Sequence, residues 1–189
     1  MNISIIGLGY VGLPLALQFA RSGVTVHGID IDPEKIRQLT AGQTYLKHIP
    51  SEEIRAALQA GTFLPTTDLS AVARSEATLI CVPTPLGPHR EPDLSFVINT
   101  ARSIAPHLRP GTLVVLESTT YPGTTDGELR AALEGGTAMV AGRDFHLAFS
   151  PEREDPGNPN SRVGDLPKIV GGLTPACTEK ASALYARAI

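Results

Sequence analysis

Ile3-Ser4-Ile5-Ile6-Gly7-Leu8-Gly9-Tyr10-Val11-Gly12-Leu13-Pro14-Leu15-Ala16-Leu17 is the stretch that decides the architecture. Its β-branched opening predicts a strand buried on both faces. Leu13, Ala16, Leu17 and Ala20 then recur at helical spacing, with Pro14 tolerated in the first turn. Between strand and helix, Gly7, Gly9 and Gly12 fit G-x-G-x-x-G. With 18 glycines in 189 residues, chance places that pattern somewhere in such a chain about 0.16 times, so the bare match is weak. Its context is strong. It follows a buried strand directly and opens a helix. A second strand (Val24, Val26, Ile29) then ends on Asp30, eighteen residues after Gly12.

Each part of this unit has a physical task. Gly7 permits the tight turn, Gly9 lets a pyrophosphate approach the backbone, and Gly12 lets helix and strand pack closely. Unpaired amides and the positive end of the helix dipole face the phosphates, with Tyr10 and Val11 in the same turn. Asp30 is placed to accept hydrogen bonds from the adenosine ribose hydroxyls, and its charge repels a 2′-phosphate. The expected cofactor is therefore NAD rather than NADP.

Outward from this unit, apolar runs and helix-period segments keep alternating. Helices are expected from Pro33 and after Pro50, with Ser51 as cap. Phe63-Leu64 is a short strand candidate, Thr78–Val82 and Leu113–Leu116 are clear ones, and His146–Phe149 and Lys168–Val170 follow. Asp93 is expected to cap a helix carrying Leu94, Val97, Ile98, Ala101 and Ile104, and a further helix is expected over 124–133. Such alternation predicts a Rossmann-like, doubly wound, mostly parallel sheet with helices on both faces, in one domain over 1–189. Ligands bind at the carboxyl ends of such strands.

Three loops leave that edge. Cys81-Val82-Pro83-Thr84-Pro85 offers a Thr84 hydroxyl for the cofactor, or is simply a proline-stiffened turn. Glu117-Ser118-Thr119-Thr120-Tyr121-Pro122 follows the fifth strand. Ser150-Pro151-Glu152-Arg153-Glu154-Asp155 follows the sixth, where Glu152 suits general-base work if the cluster is not merely a solvated loop.

Composition narrows the function class. The formal charge is −3, with no run of Lys or Arg, and aromatics are 5% without Trp, which argues against a nucleic-acid partner. The apolar N-terminus is broken by glycines, and no apolar run approaches a membrane span, so a soluble, cytoplasmic chain is expected. Five dispersed histidines (27, 48, 89, 107, 146) give no metal-ligand spacing, and Cys81 and Cys177 lie far apart in apolar surroundings. The helix beginning at Thr174-Pro175 keeps an apolar stripe to Ile189 with no stop signal, which fits a terminal helix that frays or, as the favoured expectation, a chain cut before its natural end.

Taken together, Ile-Gly-Leu-Gly-Tyr-Val-Gly-Leu-Pro-Leu (6–15), Gly-Ile-Asp-Ile-Asp (28–32), Cys-Val-Pro-Thr-Pro (81–85), Glu-Ser-Thr-Thr-Tyr-Pro-Gly-Thr-Thr (117–125) and Ser-Pro-Glu-Arg (150–153) resemble the UDP-glucose/GDP-mannose (nucleotide-sugar 6-) dehydrogenase family. Segments 46–52 and 90–95 look like the branch acting on UDP-N-acetylhexosamines. The resemblance implies oxidation of a UDP-sugar C6 alcohol to a carboxylate with two NAD+, through an enzyme-bound thioester. It further implies that Thr120 orients water and cofactor, that Glu152 handles the proton and the hydrolytic water, and that Lys35 touches the adenosine side. Val82 joins the cofactor site on the same basis. The family's nucleophilic cysteine, catalytic lysine, sugar-binding domain and dimer-forming helix lie beyond residue 189, so this chain alone is expected to bind NAD without turning over sugar. The complete protein is expected to be a homodimer. A β-hydroxyacid or 6-phosphogluconate-type dehydrogenase domain and a non-enzymatic NAD-binding module are the alternatives.

Overall fold

A computed structural model describes residues 1–87, 91–151 and 167–189. Among the described residues seven strands form one sheet: β1 (Asn2–Ile6), β2 (Thr25–Ile29), β3 (Phe63–Thr66), β4 (Ala77–Ile80), β5 (Leu113–Leu116), β6 (His146–Phe149) and β7 (Gly171–Gly172). Their order is β3-β2-β1-β4-β5-β6-β7. The first six are parallel and β7 is antiparallel to β6. The order reverses between β1 and β4, and that switch point opens a crevice at the strands' carboxyl ends.

Strand residues are buried because helices cover both faces. Ile3, Ile5, Val26, Leu79 and Val115 pack in one core with Leu13 and Leu17 of α1 (Gly12–Arg21), Leu39 of α2 (Pro33–Thr40), Ile54 of α3 (Ser51–Gln59) and Leu184 of α6 (Pro175–Tyr185). Ile6, Ile29, Ile80, Val114 and Leu116 face a second core with Val97 and Ile104 of α4 (Ser95–Ile104) and Leu133 of α5 (Arg130–Gly135). The alternation of Ile5 and Ile6 between cores is the period-2 pattern of a strand covered on two sides.

Four local expectations are revised. Ser51 is the first residue of α3, not its cap, because its hydroxyl accepts the Thr44 N–H at 3.2 Å. The helix expected over 124–133 opens as a wide π-type turn, Thr125–Leu129, closed by Leu129 N–H to Thr124 C=O at 2.9 Å, before α5. Asp93 accepts the Ser95 N–H (2.8 Å) but is not the cap, because the helix begins only at Ser95 and Leu94 holds the N-cap position without a side-chain cap bond. The last strand lies at Gly171–Gly172 rather than 168–170. Before it, the Ile169 carbonyl accepts the Ser150 hydroxyl (2.9 Å) and Lys168 pairs with Glu117, so ladder pairing starts only at Gly171. There Gly172 lies under the start of α6, and a Cβ on it would meet Thr178 N at 2.2 Å. Among the described residues no helix is long and apolar enough to cross a membrane.

Candidate functional site

The crevice is a cleft of about 470 Å³ bounded by the ends of β2, β1, β4 and β5. Its middle wall is the glycine turn. Gly7 adopts φ +91°, a left-handed conformation that L side chains rarely take, and a Cβ there would lie 2.5 Å from the Cys81 carbonyl oxygen. Gly12 packs the start of α1 onto that turn so tightly that a Cβ would fall 1.8 Å from the Gly7 oxygen. Gly9 differs: nothing lies within 4 Å of a Cβ built on it, so its open side faces the cleft.

The N-terminus of α1 has no side-chain cap and no acid in its first turn. By contrast, α2 is capped by Asp32 and α6 by Thr174. Uncapped amides and the positive dipole end, next to Gly9, Tyr10 and Val11 on the cleft wall, suit an anion. Tyr10 projects outward and stacks on His48, with ring centroids 5.8 Å apart.

Asp30 follows β2 immediately and is only 6% exposed. Its Oδ2 accepts the Leu8 N–H (2.9 Å) and the Lys35 ammonium (3.1 Å), and its Oδ1 accepts the Asp32 N–H (3.0 Å). A carboxylate has about four acceptor sites. Three donors leave about one open, and a swing of Lys35 frees a second, the number a ribose diol needs. The backbone bonds hold the carboxylate still while the half-exposed lysine is the movable partner. Lys35 also lies 5.8 Å from the Tyr45 ring centroid. The Tyr45 phenol donates to the Leu8 carbonyl, and burial, with the Asp30 and Asp32 charges adding, pushes its pKa well up.

The far wall ties two loops together. The Ser118 hydroxyl donates to the Val82 carbonyl at 2.7 Å, and the Thr84 hydroxyl donates to the Thr119 carbonyl at 2.6 Å. The Thr84 oxygen is thus committed to the loop, not aimed at a ligand, although Thr84 and Val82 both line the cleft. Beneath this wall the buried Glu117 is ion-paired with Lys168, near the ring of Tyr185. Ile31 and Phe96 are exposed apolar rims.

The structure therefore gathers Gly7, Gly9, Tyr10, Val11, Asp30, Lys35, Val82 and Thr84 on one cleft, with Gly12 directly behind it. Thr120 stands apart, on a neighbouring hollow beside Pro122 and Phe149. Glu152 lies outside the described residues. Glu117, Ser118, Thr119 and Ile31 belong to the cleft too. The sequence points to their segments, just past the ends of β5 and β2, but singles out only Thr120 and Asp30 within them as site residues. Among the described residues no group of three or more His, Cys, Asp or Glu is placed to hold a metal ion.

Residues 1–189 match the model of the UDP-glucose/GDP-mannose dehydrogenase family, NAD binding domain. The chain is 34% identical to a UDP-N-acetyl-D-glucosamine 6-dehydrogenase of Pseudomonas aeruginosa, over 98% of this chain and 43% of that protein. It is 35% identical to a UDP-N-acetyl-D-mannosamine dehydrogenase of Escherichia coli strain K12, over 97% and 45%. Among solved structures it superimposes on an NDP-N-acetyl-D-galactosaminuronic acid dehydrogenase from Methanosarcina mazei with TM-score 0.91 and 35% identity, covering 100% of this chain and 42% of the other. The chain thus spans less than half the length of these relatives.

Proposed function

Because the chain belongs to the UDP-glucose/GDP-mannose dehydrogenase family and corresponds to its NAD-binding domain, we propose that it provides the cofactor site of a UDP-sugar 6-dehydrogenase. The proposed substrate is a UDP-N-acetylhexosamine, with UDP-glucose the nearest alternative. Its C6 alcohol is oxidised to a carboxylate, of the kind found in uronic-acid polysaccharides. The proposed setting is the cytoplasm, and the complete protein acts as a homodimer.

Oxidation of an alcohol to an acid removes four electrons, hence two hydrides and two NAD+ per sugar. NAD, when bound, accepts each hydride at its nicotinamide. In this reading the amides at Gly9–Gly12 hold the pyrophosphate, with Gly7 setting the turn. Asp30 accepts the ribose hydroxyls while Lys35 moves aside. Val82, Thr84 and the Glu117–Thr119 segment shape the nicotinamide end. From β2 to β5 the crevice crosses three strand spacings, roughly 14 Å, so the two nucleoside ends fall at opposite walls. Thr120 and Glu152 are assigned to orienting water and handling the proton beside the sugar, following the family motif.

The observation that carries this reading is the uncapped, glycine-opened start of α1, with Asp30 fixed beside it by two backbone N–H groups. Calorimetry with NAD+ and NADP+ tests it. NAD+ is expected to bind at least tenfold more tightly, and Asp30→Ala is expected to weaken NAD+ binding and narrow the preference. Equal affinity for the two cofactors in the parent chain refutes the role of Asp30. For the sugar, the full-length protein is expected to release two NADH per UDP-N-acetylhexosamine. No NADH release with any UDP-sugar refutes the substrate assignment.

A further inference from the structure

Glu117 sits at the carboxyl end of the interior strand β5, on the floor of the cleft, with its side chain fully enclosed. Two groups are seen to face it, the Lys168 ammonium from the segment before β7 and the Tyr185 phenol from α6, and that phenol in turn has Cys81 from the end of β4 and Ser150 from the end of β6 beside it. Lys168 is itself only 12% exposed and lies 5.2 Å from the Tyr185 ring centroid. The backbone around the pair is fixed, because Ser150 holds the Ile169 carbonyl and Ser118 holds the Val82 carbonyl. This is a buried ion pair embedded in the fold, not a surface contact that salt and water would screen.

Its location gives it a task. The cleft runs from Asp30 at the end of β2 to Glu117 at the end of β5. With the ribose end at Asp30, the nicotinamide lies over Glu117. That ring is cationic in NAD+ and neutral in NADH, so a charge beneath it acts on the two forms differently. A bare carboxylate favours NAD+ and slows escape from the oxidised complex, whereas a bare ammonium favours NADH and product retention. A closely paired carboxylate and ammonium present little net charge.

We infer that the Glu117–Lys168 pair balances the relative affinity of the site for oxidised and reduced cofactor, each partner cancelling the other's effect on the nicotinamide charge. A reaction needing two successive NAD+ molecules at one site requires NADH to leave between them, so such a balance serves turnover. The inference rests on the cofactor placement proposed above. Both residues are positioning and specificity groups; neither handles the reacting atoms.

The test is calorimetric titration of NAD+ and NADH into the parent chain and three variants, read as the ratio of the two affinities. Glu117→Gln leaves the ammonium and is expected to shift the ratio roughly tenfold toward NADH, from one charge acting across less than a nanometre of partly buried medium. Lys168→Met, titrated at pH 8.5 to keep the carboxylate ionised, is expected to shift it toward NAD+. The double variant is expected to return within about threefold of the parent, since one charge in that medium outweighs what two neutral groups leave behind. Loosening of the fold weakens both forms alike and leaves the ratio unmoved. Ratios that stay put in both single variants, or move in the same direction, overturn the inference. A double variant that keeps the Glu117→Gln ratio overturns it as well. If the parent chain binds neither form, the cofactor placement itself falls; binding with an unmoved ratio removes only the role of the pair.

Discussion

A methyl group added at Gly9 meets no protein atom within 4 Å, whereas one added at Gly12 falls 1.8 Å from the Gly7 oxygen and 3.2 Å from Cys81 Cβ. The two glycines stand three residues apart in one motif, yet alanine at each should fail for a different reason. Gly9 does not occupy the left-handed region, so Gly9→Ala reduces the freedom of the unfolded chain without native strain, a gain of about 0.4–1 kcal/mol. For a chain of this length that is a rise of roughly 1–4 °C in melting temperature. The same methyl occupies the space where a pyrophosphate must approach the backbone. Displacing the phosphate by a bond length forfeits at least one amide bond to a charged acceptor, about 1.5–3 kcal/mol, or roughly ten- to hundredfold in affinity. Gly12→Ala instead forces α1 away from the turn. The overpacking costs about 1–3 kcal/mol, and the melting temperature falls by roughly 2–12 °C. Scanning calorimetry and NAD+ titration on both variants separate the cases. A Gly9→Ala chain that binds NAD+ like the parent would refute the placement of the diphosphate, whatever its stability.

Two further outcomes follow from the same geometry. Burial lowers the pKa of His27, with the Arg74 charge adding to the effect, and burial also lowers that of His146, beside Lys180. Their unfolded forms bind protons more readily, so the stability they contribute is present above the ordinary value of 6.5 and declines as pH falls through it toward the lower folded values. Urea melts between pH 7 and 5 should show this decline and a shallower slope in His27→Gln; an identical slope in the variant removes His27 from the account. Thr84→Val should change NAD+ affinity by less than about threefold while loosening the loop, because its hydroxyl is held by the Thr119 carbonyl. A tenfold loss of affinity with unchanged loop protection in hydrogen exchange would instead make that hydroxyl a ligand donor.

What the sequence revealed and what it concealed divide along a physical line. The turn at Gly7–Gly12, the helix behind it and Asp30 after β2 are set by local rules: glycine where the backbone is crowded, β-branched residues where both faces are covered, an acid at a strand end. Each was legible from its neighbours in the chain. Val82 and Thr84 line the cleft, but the direction of the Thr84 hydroxyl depends on a carbonyl 35 residues away. Lys168 looked like the start of a strand because Ile169 and Val170 are β-branched. Its engagement with Glu117, 51 residues earlier, overrides that propensity. Thr120 shows the same limit from the other side. The loop was recognised, but which of its consecutive hydroxyls turns toward the cleft is decided by the Ser118 and Thr84 cross-ties and not by composition.

The two margins of the sheet have a bearing on how this domain behaves in concentrated solution. At one margin, Val26 N–H bonds to Thr62 C=O and Asp30 N–H to Thr66 C=O, so the even-numbered residues of β3 turn inward and Pro65 turns outward, where it has no amide proton to give. At the other margin β7 is two residues long and runs counter to its neighbours. A visiting strand finds too few donors on the first and too little length on the second, so both borders resist the edge-to-edge growth that seeds amyloid-like aggregation.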